Sequence, residues 1–141
     1  MSGKAEPRTP KDVDRFIPVL LIDDNPSQLK VREVVLRTAG FAVVVATTAE
    51  GALAALRILA DQIGVVVTDH VMPGCSGAEF VRRLRAENEW LPVIVLSGMP
   101  EAMGEYEGLQ VVFRSKPIPP RELIELVRSG LAESLRRRGG V

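Results

Sequence analysis

At 141 residues, 46% hydrophobic and 26% charged, the chain has the length and composition of one soluble domain with its own core. Lys plus Arg number 18 and Asp plus Glu 18, a formal net charge of zero, which argues against a nucleic-acid-binding domain with its usual basic excess. One cysteine, Cys75, rules out an intramolecular disulfide framework; with no apolar signal segment and no run long enough to cross a bilayer, the expected location is cytoplasmic.

Residues 1–17 are rich in Pro, Lys and Asp without apolar periodicity and read as a flexible leader. "PVLLID" is a short continuous apolar run, the pattern of a strand covered on both faces. Asn25 and Pro26 then start a helix that runs through Leu29, Val31, Val34 and Val35 and stops at Gly40. "FAVVVA" is a second strand. Thr47 and Glu50 have capping-box spacing and open a helix carrying Leu53, Leu56 and Leu59. "GVVVTD" is a third strand, ending in Asp69. Ser76 and Glu79 form a second capping box before a helix with Phe80, Val81 and Leu84. "PVIVLSG" and "LQVVF" are strands four and five, and Pro119–Pro120 open a last helix through Leu123, Val127 and Leu131.

Strands alternating with helices predict βαβ crossovers, a parallel sheet and helices on both faces. Five strands in this length give a doubly wound α/β domain of the flavodoxin-like kind, strand order 2-1-3-4-5, over residues 18–135. Residues 136–141 read as a basic, glycine-bearing tail; Arg136, Arg137 and Arg138 are expected to be a solvated helix end. The connection "MPEAMGEYEG" contains Pro100 and Gly104 and few apolar anchors, so its helix is expected to be short or irregular.

Ligands of such sheets bind outside the carboxyl ends of the strands. There the sequence places Asp23 and Asp24 after strand one, Asp69 after strand three, Ser97 after strand four and Lys116 after strand five. Three carboxylates together demand a cation. Oxygen donors without His or Cys favour Mg²⁺, and Lys116 adds a second positive charge. The set suits phosphoryl transfer, with Asp69 as nucleophile, Mg²⁺ and Lys116 neutralising the phosphoryl oxygens, and Ser97 donating a hydrogen bond.

The acidic pair Asp23–Asp24, "TDHVMPGCSG" around Asp69, "LSG" at Ser97 and "KP" at Lys116–Pro117 resemble, in order and place, the receiver domain of two-component response regulators. The resemblance implies that Asp69 accepts phosphate from a phosphohistidine on a sensor histidine kinase or histidine phosphotransfer protein. It implies that Asp24 and Asp69 bind Mg²⁺ directly, that Asp23 acts through water and that the Val71 carbonyl is a further ligand. Ser97 and Lys116 would hold the phosphoryl group, and Ser97 with Phe113 would form the switch. The implied module is not an enzyme in the ordinary sense, since it catalyses only its own phosphorylation and dephosphorylation. The chain reads as a stand-alone receiver or one cut from a hybrid kinase. No nucleic acid or membrane contact is expected, and a weak homodimer is left open.

Two other readings compete. One is a degenerate receiver serving as a protein-binding scaffold. The other is a haloacid-dehalogenase-type phosphatase, which wants a second Asp where Val71 stands. His70, beside Asp69, is expected to point away from it. Met72 and Pro73 are expected to shape the loop, and Trp90 to be a packing residue. Val71 and Met99, both apolar, flank the expected approach of hydrolytic water and would slow self-dephosphorylation.

Overall fold

All five expected strands form, and every pairing is parallel. In the computed structural model, which describes residues 17–139, the sheet consists of β1 (Val19–Ile22), β2 (Val43–Ala46), β3 (Val65–Asp69), β4 (Val93–Ser97) and β5 (Val112–Ser115) in the order β2-β1-β3-β4-β5. The expected leader lies outside the described residues except for Ile17. β5 begins and ends later than "LQVVF" suggested, because Gln110 adopts φ 58° and turns the chain before Val112.

Strand alternation builds two cores. On one face Leu20, Ile22, Val66, Val93 and Val95 pack under α2 (Ala49–Leu59), α3 (Gly77–Glu87) and Tyr106. On the other Val19, Leu21, Val65, Val67, Ile94 and Leu96 pack under α1 (Pro26–Thr38) and α4 (Pro120–Gly139). Both faces are apolar because a parallel sheet with helical crossovers is covered twice. Phe80 is completely buried at the centre of the first core.

The helix starts follow the sequence with one exception. The Asn25 side chain accepts from Gln28 N (3.0 Å), with Pro26 in the first turn of α1. Ser76 and Glu79 make the reciprocal capping box of α3. The Thr47–Glu50 box does not form. Thr48 accepts from Gly51 N instead (2.9 Å), and a glycine at that position has no side chain to return the bond.

Between β4 and β5 the chain makes only a 3₁₀ helix, Pro100–Tyr106, in agreement with its poor helical content. Its trailing loop is held by a residue the sequence did not single out. Arg85 of α3 donates to the carbonyls of Leu109 (2.8 Å), Leu91 (2.7 Å), Asn88 (3.2 Å) and Gln110 (3.1 Å). One guanidinium thus ties the turn before β4 to the turn before β5, and burial lowers its pKa. Trp90 in that turn is 56% exposed and is not a packing residue of the core; Arg137 stacks on its ring at 4.2 Å. α4 continues through Gly139, so the arginines of the expected tail belong to this helix. Arg136 and Arg137 pair with Glu133, and Arg138 donates to Ile63 O.

Candidate functional site

Register decides which polar side chains meet. Ile22 is level with Thr68, which places Asp23 level with Asp69. Pleat parity then sorts the faces. Asp23 follows Val19 and Leu21, and Asp69 follows Val65 and Val67, so both carboxylates point to the α1–α4 side. Lys116 reaches the same side from beyond β5, where its N–H donates to Ser97 O (2.8 Å) and locks the β5 end to the β4 end.

The result is a compact cluster. Asp23, Asp24 and Asp69 each offer a carboxylate oxygen, and these oxygens lie within 4.8 Å of one another. Asp23 and Asp69 are buried, whereas Asp24 is exposed. Lys116 Nζ sits 2.5 Å from Asp69 Oδ1 and 3.2 Å from Gln28 Oε1. A second cation enters from α1. Arg32 Nη1 lies 2.5 Å from Asp23 Oδ2, with the Arg32 side chain 13% exposed, while Asp23 Oδ1 accepts from Asn25 N (2.9 Å). Asp24 pairs with no cation among the described residues. The donor set is all hard oxygen at short mutual spacing, with one carboxylate open to solvent, and it fits a hydrated Mg²⁺.

Ser97 is buried at the end of β4, but its hydroxyl is turned into its own loop. It accepts from Met99 N (2.9 Å) and donates to Met99 O (3.2 Å). Phe113 is half-buried, its ring 5.7 Å from that of Tyr106. Val71 and Met99, two residues after Asp69 and Ser97 respectively, are both exposed.

His70 obeys the pleat. One residue after Asp69, it points to the opposite face, where its Nδ1 meets Tyr106 Oη at 2.7 Å and its Nε2 is 3.8 Å from Glu105. It is buried, and it links the segment carrying Asp69 to the 3₁₀ helix. Tyr106 and Arg32 are the site-flanking residues that sequence reasoning missed. An i,i+7 step from Asn25 along α1 was the available signal for Arg32; Tyr106, in a segment without periodicity, gave none.

Burial first, then the charges of Glu105 and Asp69, push the Tyr106 hydroxyl well above the ordinary value of 10.0. A pKa raised on folding contributes stability that is complete below the unfolded value. It is lost as pH rises through the folded one. Tyr106→Phe should therefore flatten the loss of stability above about pH 10, since Phe has no proton to release. Near neutrality the same change should cost about 1–3 kcal/mol, because His70 Nδ1 loses its buried partner. Urea unfolding of both proteins from neutral to alkaline pH measures both effects.

With the geometry in place, comparison with known proteins defines the class. Residues 19–128 match the response regulator receiver domain, and the chain belongs to that family. It is 32% identical over 116 residues to the DNA-binding response regulator MtrA of Mycolicibacterium smegmatis, covering 80% of this chain and 50% of MtrA. It is 36% identical over 116 residues to the C4-dicarboxylate transport transcriptional regulatory protein DctD of Pseudomonas aeruginosa, covering 80% of this chain and 25% of DctD. The chain thus spans half or less of the length of these relatives. Among solved structures it resembles the receiver domain of the hybrid histidine kinase CckA (30% identity, TM-score 0.69, 81% of this chain and 98% of that one). It also resembles a response regulator receiver protein from Pseudomonas putida (31% identity, TM-score 0.72, 79% and 95%). The expected class and strand order are both borne out. Among the described residues no helix is long and apolar enough to cross a membrane.

Proposed function

We propose that the chain is a working phosphoacceptor of a two-component phosphorelay, located in the cytoplasm, with Asp69 as the residue phosphorylated. The observation that carries this reading is the Lys116–Asp69 contact of 2.5 Å beside two further carboxylates at the strand ends. An Asp69 oxygen attacks phosphorus, the phosphorus–nitrogen bond of a partner's phosphohistidine breaks, and the electron pair returns to the imidazole. Lys116 neutralises charge on the phosphoryl oxygens as they approach. Asp24 and Asp69, with the Val71 carbonyl, would hold Mg²⁺, and Asp23 would act through water; the close set of three carboxylates supports this. Bound there, Mg²⁺ supplies the second positive charge that an in-line transfer between anions requires.

Ser97 must leave its Met99 contacts to reach a phosphoryl group. Phe113 then has room to move behind it, and Phe113 touches Tyr106, so the change passes to the 3₁₀ helix and β5. The apolar side chains of Val71 and Met99 would shield the acyl phosphate from water.

The donor must approach beside Lys116. A groove of about 520 Å³ lies there between α1 and α4, lined by Val31, Val35, Ile118, Pro120 and Leu123, with Gln28, Arg32 and Lys116 at its rim. Val31 and Val34 extend this apolar surface along α1, 62% and 49% exposed. Because the groove and the site share Lys116, its occupant is the histidine-bearing helix of the kinase or phosphotransfer partner.

Intact mass after incubation with acetyl phosphate and Mg²⁺ tests the reading. The parent should gain one phosphoryl group, and Asp69→Asn and an EDTA-treated sample should gain none. An unlabelled parent would put the scaffold reading in its place. Val31→Glu should be labelled by acetyl phosphate like the parent, yet take phosphate at least tenfold more slowly from a phosphorylated histidine phosphotransfer protein, since a charge enters the apolar contact.

A further inference from the structure

Leu29 and Leu36 pack α1 on the sheet, and the pair formed by Arg32 and Asp23 is a separate, polar contact. It engages a carboxylate of the metal-binding cluster directly. Asp23 is completely buried, and both its oxygens are committed, one to Asn25 N and one to Arg32. A cation arriving among Asp23, Asp24 and Asp69 meets a guanidinium already seated on one of the three. Two cations, Arg32 and Lys116, face these three carboxylates, so the cluster is largely neutralised from within.

We propose that Arg32 is a built-in counter-ion that competes with Mg²⁺ for Asp23, weakening metal binding and keeping the metal-free site folded. The inference rests on the metal reading given under the proposed function, and it concerns what this chain's own arginine does to that site. Removing one member of a buried pair strands the other charge, which destabilises the metal-free protein. The stranded carboxylate is then satisfied by a divalent cation, and the repulsion between guanidinium and metal is gone. Metal-free stability and metal affinity therefore move in opposite directions. Arg32 also has somewhere to go. Its Nη2 lies 3.4 Å from Gln28 Oε1, and it lines the apolar groove, so a displaced guanidinium moves toward the surface proposed for the partner.

Arg32→Gln and Arg32→Lys separate charge from shape. Calorimetric titration with MgCl₂ should show binding at least tenfold tighter in Arg32→Gln than in the parent. In Arg32→Lys, which keeps the charge, affinity should stay within about threefold of the parent. Thermal unfolding should show Arg32→Gln below the parent without metal, with the gap narrowed at saturating Mg²⁺. A measurement on the unmodified protein guards against a variant that does not fold: the Arg32 Nε–H resonance should shift as Mg²⁺ is added. Equal or weaker binding in Arg32→Gln, or an Arg32 resonance unmoved while Mg²⁺ binds, overturns the proposal. If the parent takes no Mg²⁺ but Arg32→Gln does, the counter-ion role stands in its strongest form. If neither binds it, both the metal reading and this inference fall. Labelling of the parent by acetyl phosphate with Mg²⁺ is scored separately: a parent that binds Mg²⁺ and is labelled, together with an Arg32→Gln variant that binds no tighter, overturns this inference and leaves the phosphoacceptor reading standing.

Discussion

Lys116→Met should lower the rate at which Asp69 is phosphorylated by acetyl phosphate by about 10²–10³, the usual effect of removing one preorganised charge from a transferring group. The fold should survive. Asp69 is buried and is left without its cation, while the 22% exposure of the Lys116 side chain lets solvent screen part of the pair, so without metal the loss of stability should be about 1–3 kcal/mol. The variant has a second signature. Without Lys116, Asp69 has no cation on it, and Mg²⁺ should bind more tightly than in the parent. Slower phosphorylation together with tighter metal binding separates a phosphoryl-binding lysine from a merely structural one, which would slow the reaction by loosening the whole site. Arginine should not rescue the rate, because its planar fork does not reproduce a compact ammonium 2.5 Å from one carboxylate oxygen. Stopped-time mass spectrometry and calorimetry read the two quantities.

The contrast between Lys116 and Arg32 shows how much of this site was legible in the sequence. Asp23, Asp24, Asp69, Ser97 and Lys116 each stand at or just beyond the end of a strand, and a parallel sheet brings strand ends together whatever the loops do. The alternation of strands and helices, the Asn25 and Ser76 caps and the weak fourth crossover followed from local pattern in the same way, while the strand order came with the flavodoxin-like fold class. Other features depended on distances that no local pattern encodes. Arg32 looks like one more polar residue on an exposed helix until pleat parity turns Asp23 toward α1. Arg85 looks like an ordinary solvated arginine of α3, yet it binds four carbonyls from two loops. Trp90, in the turn before β4, was expected to be a packing residue, but it is more than half exposed and its ring lies under Arg137. The box at Thr47 and Glu50 failed by a single residue, since Thr48 is an equally good oxygen one position nearer the helix.

Gly77→Ala should be the most disruptive single methyl group near the site. A Cβ at this position would overlap the Tyr106 hydroxyl and lie 2.8 Å from Asp69 O and 3.0 Å from His70 Cα. Two of these three neighbours are backbone, so they cannot swing aside as a flexible side chain would. The glycine is also tied to the segment after Asp69 by its N–H, which donates to His70 O (2.7 Å). Relief requires α3 to back away from the end of β3, which moves Asp69 relative to Lys116 and breaks the contact between Tyr106 and His70. Overpacking of this kind costs about 1–3 kcal/mol, and against backbone the upper end applies, which lowers Tm by roughly 10 °C. Phosphorylation should slow as well, because the acceptor is displaced. Gly104→Ala is the matched control. It lies in the 3₁₀ helix with no positive φ, and an added methyl group would meet nothing within 4 Å, so Tm should stay unchanged or rise slightly. Should Gly77→Ala melt with the parent, the close packing of α3 on the acceptor strand would not be what fixes Asp69. The rigidity of the site would then have to come from the sheet ends alone, through the Lys116 N–H bond to Ser97 O.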